Sequence, residues 1–343
     1  MLVRLAVVGA IAVPFAVGAA QPTNDPPAEG TEVTRFADPE IVESSGLAVV
    51  DGRFVTINDS GDPGRLFVVD PATGETVGVT RWEPDPVDVE AVAPVVEDGA
   101  ATSEVWVADI GDNFARRDSV EVLRVPVAVG DVQVDPVAYE LVYPDGPRDA
   151  ESLLTDPATG RLYVVSKGPL GGSFYAAPEV LDADAPNELE LLTAAPVMAT
   201  DAAFLPDGRH LVVRGYVNAH VYSFPALEDL GSFVLPSQPQ GEGVGVDPDD
   251  PDAVLLTSEG LEQPILRVEI PERLRALMDP ADPDAPVDPE LDGADGTGRS
   301  DDGAEPDPAG GPPVWVPVGI VGLIGGGVLA ALAIVLVRGA RRR

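Results

Sequence analysis

Residues 43–62 read ESSGLAVVDGRFVTINDSGD, in which a polar start is followed by an apolar run, an Asp-Gly pair, a second apolar run and a polar end. An Asp-Gly pair between two β-branched apolar runs predicts a β-hairpin with a two-residue turn. The same layout recurs four more times, at intervals of about 50 residues. The four segments are VEAVAPVVEDGAATSEVWVADIGDN (89–113), AESLLTDPATGRLYVVSKG (150–168), TDAAFLPDGRHLVVRGY (200–216) and GEGVGVDPDDPDAVLLTSEG (241–260).

Each hairpin is followed by a second pair of short apolar runs, so each unit predicts four strands. Such a repeated unit is typical of a β-propeller blade, whereas a sandwich would not repeat it. The fifth unit has only three clear strands, ending at ILRVEIP (265–271), and a strand without a partner, TEVTRFA (31–37), precedes the first unit. If the N-terminal strand completes the last blade, the ring closes and hides its sheet edges. We therefore predict an all-β, five-bladed β-propeller over residues 31–271.

Both ends of the chain predict export and a membrane anchor. Residues 1–20 combine one arginine, an apolar run and small residues, which is typical of a signal peptide but also fits an uncleaved anchor. Residues 314–337 are uncharged and long enough for a transmembrane helix, and the arginines of 338–343 follow them. By the positive-inside tendency, the propeller lies outside the cell and the basic tail in the cytoplasm. Residues 272–313, rich in Asp, Pro and Gly, predict a disordered stalk.

The composition excludes several classes of partner and site. The formal net charge is −37, from 58 acidic and 21 basic residues. A nucleic-acid partner is excluded because a phosphate backbone requires a basic surface. Cysteine is absent, which excludes disulfides, thiol nucleophiles and cysteine-based metal sites. The acidity suits cation binding or a soluble surface in salty surroundings.

The repeat brings polar residues together at one end of the propeller, which we call the mouth. In a hairpin the first strand begins beside the end of the second, so each unit places two polar positions there. The strand starts are Ser45, Glu90, Glu151, Asp201 and Glu242, with Glu43 close by. The strand ends are Asn58, Asp59, Asp109, Lys167, Arg214 and Glu259. If the first strand of each unit is innermost, the five strand starts surround the central channel.

Four carboxylates among five inner positions would repel one another strongly at close range. Either several of them are protonated or a cation lies among them. For a cation, a set of oxygen donors without His or Cys favours Ca²⁺, with Mg²⁺ second. The predicted metal ligands are therefore Ser45, Glu90, Glu151, Asp201 and Glu242. The alternative is that acidic residues before strands are ordinary solvated turn residues of an acidic protein.

The five units resemble those of the calcium-activated nucleotidases, or soluble apyrases. The matching segments are SSGLAVVDGRFVTINDSGD, VEAVAP, ESLLTD, DAAFLPDG and GEGVGVD. This resemblance implies a five-bladed propeller with one Ca²⁺ in its channel, and makes Ser45, Glu90, Glu151 and Glu242 candidate ligands. Asp201 stands where that family has serine, and Ala91 where it has tryptophan. The chain is also similar to secreted actinobacterial propellers with ESSGLA, DIGDN and QGEG segments, a resemblance that implies no activity.

Two function classes follow. In the first, Ca²⁺ rigidifies the ring and the mouth recognises an extracellular or envelope ligand, such as a glycan, a peptide or an envelope protein. In the second, a Ca²⁺-dependent phosphohydrolase acts on phosphate esters or anhydrides. There, Glu90 or Asp109 would be the base, and Lys167 and Arg214 would stabilise developing charge on an anionic small molecule. The first is favoured, because no residue has a uniquely catalytic signature.

Overall fold

The apolar runs of the repeat form β-strands in the computed structural model, which describes residues 26–59 and 61–279. The strands, in chain order, are β1 (Gly30–Arg35), β2 (Ser44–Val50), β3 (Arg53–Asn58), β4 (Arg65–Val69), β5 (Thr76–Arg81), β6 (Val89–Glu97), β7 (Ala100–Asp109), β8 (Val120–Pro126), β9 (Gly130–Gln133), β10 (Val137–Val142), β11 (Ala150–Thr155), β12 (Leu162–Ser166), β13 (Gly172–Ala176), β14 (Asn187–Glu188), β15 (Glu190–Ala195), β16 (Ala199–Phe204), β17 (His210–Gly215), β18 (Asn218–Ser223), β19 (Asp229–Val234), β20 (Gly241–Gly245), β21 (Ala253–Ser258) and β22 (Pro264–Glu269). One helix, α1 (Glu272–Met278), follows them.

The strands form five sheets, which are the five blades of a β-propeller. From the inner to the outer edge, the blades are β2-β3-β4-β5-β9, β6-β7-β8-β10-β14, β11-β12-β13-β15, β16-β17-β18-β19 and β20-β21-β22-β1. Each innermost strand contacts the innermost strands of the two neighbouring blades, so the five close into a ring. The predicted five-bladed propeller is confirmed, with the first strand of each unit innermost.

The N-terminal strand closes the ring as the sequence predicted. β1 pairs antiparallel with β22, with Thr31 opposite Arg267, and supplies the outer strand of blade 5. Just after β1, the side chain of Phe36 is fully buried in an apolar cluster that contains residues of blade 1 and of blade 5. We call this cluster the closure core: Phe36, Ile41, Leu47, Phe54, Phe67, Val69, Val79, Leu255 and Ile265. Backbone pairing and apolar packing therefore act together at the junction.

Tight turns shape the hairpins at the end opposite the mouth. Asp51 and Gly52 have φ angles of 51° and 68°, and Asp98 and Gly99 have φ angles of 51° and 74°. Two consecutive positive φ values define the type I′ turn, whose twist matches that of paired strands. The Asp-Gly pairs of blades 1 and 2 thus set the register that carries each polar strand start to the mouth.

Two short strands were not predicted, and both link neighbouring blades. β9 lies in the chain between two strands of blade 2 but pairs in parallel with β5 of blade 1. β14 lies between two strands of blade 3 and pairs in parallel with β10 of blade 2. Asn187 in β14 also donates a 2.9 Å hydrogen bond to the Glu140 carbonyl. These strands fasten the outer edges of blades 1, 2 and 3 to one another.

The ordered region extends beyond both limits of the predicted propeller. Ala28 donates its backbone N–H to the Val234 carbonyl at 2.9 Å, so chain before residue 31 already pairs. Residues 272–278, predicted as the start of a disordered stalk, instead form α1. Leu274 on this helix is fully buried in the apolar core shared by blades 4 and 5. The predicted boundary between propeller and stalk at residue 271 was wrong, because the burial of Leu274 stabilises a short helix despite the charged residues around it.

The other terminal predictions lie outside the described residues. These are the signal peptide at 1–20, most of the stalk, the transmembrane helix at 314–337 and the basic tail at 338–343. Within residues 26–59 and 61–279, no helix combines the length and the apolar character required to cross a membrane.

Candidate metal centre at the propeller mouth

A β-bulge begins the innermost strand of every blade, on the mouth side. The pairing register shifts between Ser44 and Gly46 in blade 1, and one residue is likewise passed over in blades 2, 3 and 4. In blade 5 the shift spans Glu242 and Gly243, opposite Thr257. A bulge leaves one residue out of the ladder and turns its side chain in a new direction. The residues at these positions, which we call the bulge ring, are Ser45, Glu90, Glu151, Thr200 and Glu242. All five are buried.

The register places Thr200, and not Asp201, in the bulge ring. In blade 4 the shift lies between Ala199 and Asp201, and Asp201 pairs in register with Arg214. The Asp201 carboxylate accepts backbone N–H groups from Ala202 at 2.8 Å and from Val244 of blade 5 at 2.7 Å. The five segments were aligned by their acidic residues, which selected Asp201. That residue is one position after the bulge residue of blade 4.

The two hydroxyls of the bulge ring make the same contact. Ser45 donates its hydroxyl to the Glu90 carbonyl at 3.0 Å, and Thr200 donates to the Glu242 carbonyl, also at 3.0 Å. In both cases the acceptor is the bulge residue of the next blade. Each oxygen keeps lone pairs that can face a cation. Hydroxyl and glutamate positions therefore follow one pattern around the ring: hydroxyl, Glu, Glu, hydroxyl, Glu.

The three glutamates of the bulge ring share one central space and affect one another's ionisation. Burial raises the pKa of Glu90, and the charges of Glu151, Asp59 and Asp88 raise it further. Burial likewise raises the pKa of Glu151, and the charge of Glu242 adds to this rise although Lys167 opposes it. Blades 3 and 5 are not neighbours, so the interaction between Glu151 and Glu242 acts across the channel.

Glu242 has an oxygen without a protein partner. Its Oε1 accepts a hydrogen bond from Gln240 at 3.3 Å. Its Oε2 is buried and has no hydrogen-bond partner among the described residues. Burial raises the pKa of this carboxyl, while Lys167, Arg214 and Gln240 lower it. A buried carboxylate oxygen without a donor is unfavourable, and a bound cation could satisfy it.

Lys167 lies at the mouth end of blade 3, directly after β12. Its ammonium group pairs with the Glu151 carboxylate and donates a 3.0 Å hydrogen bond to the Tyr216 hydroxyl. The ammonium also lies 5.2 Å from the centroid of the Tyr216 ring. The charge of Glu151 raises the pKa of Lys167 against the effect of burial. This lysine forms an ion pair with Glu151 and also lowers the pKa of Glu90 and of Glu242, the latter together with Arg214.

Two further carboxylates, those of Asp59 and Asp88, lie close to the bulge-ring residue Glu90. Carboxylate oxygens of Asp59, Asp88 and Glu90 lie within 4.8 Å of one another. Gly111 lies directly against them, because an added Cβ would be 2.5 Å from both Asp88 Oδ2 and Glu90 Oε1. A larger residue at this position of the DIGDN segment would require both carboxylates to move. Glu259 lies near Glu242 and Asp59, and it accepts a 2.5 Å hydrogen bond from Gln240.

Two of the predicted strand-end residues hold the mouth loops in place. Asn58 is buried and accepts the backbone N–H groups of Val42 and Glu43 at 3.0 and 3.1 Å. Asp109 is fully buried and does the same for Val87 and Asp88 at 2.7 and 3.0 Å. Asp109 also accepts a hydrogen bond from Arg117 at 2.7 Å. Its carboxylate is occupied by donors in this structure.

Arg214 is buried beside the bulge ring, where it donates to the carbonyl of Gly243, the residue after Glu242. It is fully buried and donates to the Thr257 carbonyl at 2.8 Å and to the Gln238 side chain at 2.6 Å. Burial lowers its pKa to about 10, although the charges of Glu242 and Asp201 oppose this effect. The residue that matches Lys167 in blade 4 is Tyr216, two positions further on. Of the predicted mouth residues, the described structure brings together Glu43, Asp59, Lys167, Arg214 and Glu259 with the bulge-ring glutamates.

Sequence reasoning did not find Thr200, Asp88, Gln240 or Tyr216. A local signal existed for Thr200, since the ring residues Ser45, Glu90 and Glu151 each precede a small residue and then an apolar one. Aspartate in place of the small residue obscured that pattern. The others lie in loops, where no periodicity marks them.

Comparison with known proteins adds nothing to this geometry. No family model matches the chain, and no curated protein matches it.

In the presence of a chelator, we expect the melting temperature to fall as the pH rises from about 5 to about 8. Burial raises the pKa of Glu259 to about 8, and Glu242, Asp59 and Glu43 add to the rise. Such a group binds more protons in the folded than in the unfolded chain, so its stabilisation is complete at low pH and is lost as the pH passes the folded pKa.

Differential scanning calorimetry of Glu259→Gln should show a shallower fall than wild type. Glu262→Gln is the matched control, because Glu262 lies in the same loop with an exposed side chain. A melting temperature that rises between these two pH values would contradict the expectation.

Proposed function

We propose that this chain is a membrane-anchored extracellular propeller that binds Ca²⁺ in the bulge ring and recognises an extracellular or envelope ligand at its mouth. The observation that carries the proposal is the buried Oε2 atom of Glu242, which has no hydrogen-bond partner in the described part of the chain. A cation in the channel would satisfy this oxygen and reduce the repulsion among the three ring glutamates.

The donor set fits a hard cation. The bulge ring offers hydroxyls from Ser45 and Thr200 and carboxylates from Glu90, Glu151 and Glu242, and Asp59 and Asp88 lie next to them. Oxygen donors of this kind suit Ca²⁺, while Mg²⁺ demands a stricter octahedron and retains more water. With Thr200 in blade 4, a hydroxyl occupies the position where the calcium-activated nucleotidases have serine. When bound, the ion would link four or five blades through their innermost strands.

Recognition is favoured over phosphate chemistry by the placement of the candidate catalytic residues. Asp109 is occupied by backbone and arginine donors, and Arg214 is buried against backbone carbonyls. Lys167 is paired with Glu151. Among the four candidates, Glu90 alone combines a place in the bulge ring with a raised pKa. We therefore keep Ca²⁺-dependent phosphohydrolysis as the alternative that the test must address.

The proposed location follows from the chain ends. The uncharged segment 314–337 with its basic tail would anchor the protein, and the acidic segment before it would hold the propeller away from the bilayer.

Calorimetric titration of the full-length chain with CaCl₂ tests the metal centre. We expect one high-affinity Ca²⁺ and weaker Mg²⁺ binding. Thr200→Val removes the hydroxyl at nearly constant shape and should weaken Ca²⁺ binding about tenfold, or about 1.4 kcal/mol. The matched control is Thr193→Val, on an exposed part of blade 3. Absence of Ca²⁺ binding by wild type would refute the proposal.

The same protein, incubated with ATP and with p-nitrophenyl phosphate in Ca²⁺, is expected to release no phosphate. Calcium-dependent release that Glu90→Gln abolishes would instead establish the hydrolase.

A further inference from the structure

The mouth face carries exposed apolar side chains around its acidic centre. Six large apolar residues in the mouth loops are more than half exposed, and they come from four of the five blades. We call them the apolar rim: Val87, Phe114, Leu170, Val197, Val217 and Leu261. Leu170 and Phe114 are the most exposed, at 83% and 69%. Clustered exposed apolar residues with polar residues beside them mark interaction surfaces.

The loop that presents Phe114 is held by its own buried polar residue. Asp112 is buried and accepts the backbone N–H groups of Arg116 and Arg117 at 2.5 and 2.7 Å. Asp149 in turn accepts the Asp112 N–H at 2.9 Å. The side chain of Phe114 is thus exposed by a hydrogen-bonded loop.

The centre that the rim encloses is negative. Glu43, Asp59 and Glu259 lie together on the side of blades 5 and 1. Three cations of the described mouth loops pair with carboxylates: Arg117 with Asp109 at 2.7 Å, Arg148 with Asp145 at 2.5 Å, and Lys167 with Glu151. Arg116 is exposed and keeps its charge at 4.9 Å from the Phe114 ring. A partner complementary to this face brings positive charge to the centre and apolar surface to the edge.

We propose that the mouth face docks a polypeptide segment that carries lysine or arginine flanked by apolar residues. The basic side chain meets the carboxylates of Glu43, Asp59 and Glu259, and the flanking apolar side chains pack on the rim. The proposal rests on the proposed function in placing recognition at the mouth, but it does not require that the bulge ring hold Ca²⁺. A membrane surface fits less well, because anionic headgroups would be repelled by the acidic centre.

Binding of defined peptides to the labelled full-length chain tests this partner. The probes are ten-residue peptides with a central Lys, Arg, norleucine or Glu, flanked by leucines or by serines, measured by fluorescence anisotropy in CaCl₂. We expect the Lys- and Arg-centred, leucine-flanked peptides to bind at least about tenfold more tightly than the Glu-centred or serine-flanked ones.

The double variant Phe114→Ser with Leu170→Ser should reduce the preferred peptides to the level of the serine-flanked set. Its control is Val129→Ser with Val180→Ser, which changes two residues that are 65% and 84% exposed in loops at the opposite end of the propeller. Equal binding of all peptides, or a rim variant that binds like wild type, would overturn the proposal. So would rim-dependent binding to phosphatidylglycerol vesicles without peptide preference.

A calorimetric Ca²⁺ signal in the rim variant distinguishes the two proposals. In the rim variant, loss of peptide preference with Ca²⁺ binding intact supports the partner proposal, whereas wild type that binds Ca²⁺ without any peptide preference refutes the partner alone. If wild type prefers the basic, leucine-flanked peptides but does not bind Ca²⁺, the proposed metal centre is refuted and the proposed peptide partner is not.

Discussion

Chelation of Ca²⁺ is expected to lower the melting temperature of the full-length chain by roughly 8–16 °C relative to CaCl₂ at about 1,000 times the dissociation constant. A ligand at that excess stabilises the folded state by about 4 kcal/mol. For a domain of this size, each kcal/mol corresponds to about 2–4 °C. The physical reason is that the ion would satisfy the buried Glu242 oxygen and separate charges that otherwise repel.

Glu242→Gln should abolish most of this shift, because it removes one ring charge at nearly constant volume. The chelated variant is expected to melt at or above chelated wild type, since one repulsive carboxylate is gone. Glu262→Gln, whose side chain is exposed outside the ring, serves as the control and should keep the full Ca²⁺ effect. Equal melting temperatures of wild type with and without Ca²⁺ would contradict the metal centre.

Phe36→Ala is expected to destabilise the propeller by about 3–5 kcal/mol, the usual cost of truncating a buried phenylalanine. Phe36 is fully buried in the closure core between blades 1 and 5. A cavity there weakens the junction at which the ring closes, so urea unfolding should show a lower midpoint.

Val33→Ala is the control for this variant, because Val33 lies in β1 with a side chain that is 43% exposed. Its expected cost is within about 0.5 kcal/mol. If Phe36→Ala unfolded at the wild-type midpoint, the closure core would not contribute to the stability of the ring.

The fold could be predicted because its signals are local and repeated. Asp51-Gly52 and alternating apolar residues determine a hairpin over a few positions, and five copies make the blade. The closure by β1 followed from counting strands: the fifth unit had three and the N-terminus had one. β9 and β14 could not be found in this way, since each is short and pairs with a strand of the preceding blade.

The candidate site was predicted less completely, for a physical reason. The bulge in each innermost strand leaves one residue unpaired, and which residue that is depends on the register of two strands. Residue type alone pointed to Asp201, whereas the register selects Thr200. Asp109 and Arg214 form hydrogen bonds with groups from other loops and blades. No short segment of sequence reveals these partners.

The pairing of β1 with β22 also determines when the molecule can become complete. Among the strands of the described residues, β1 is made first and its partner β22 last, so blades 1 to 4 can assemble before the fifth is complete. During that interval β1 has a free edge, and pairing over such a long stretch of chain is slow to form. The chain is therefore most vulnerable to aggregation until β22 is available to pair with β1, and a chaperone that shields residues 30–35 would act during that interval.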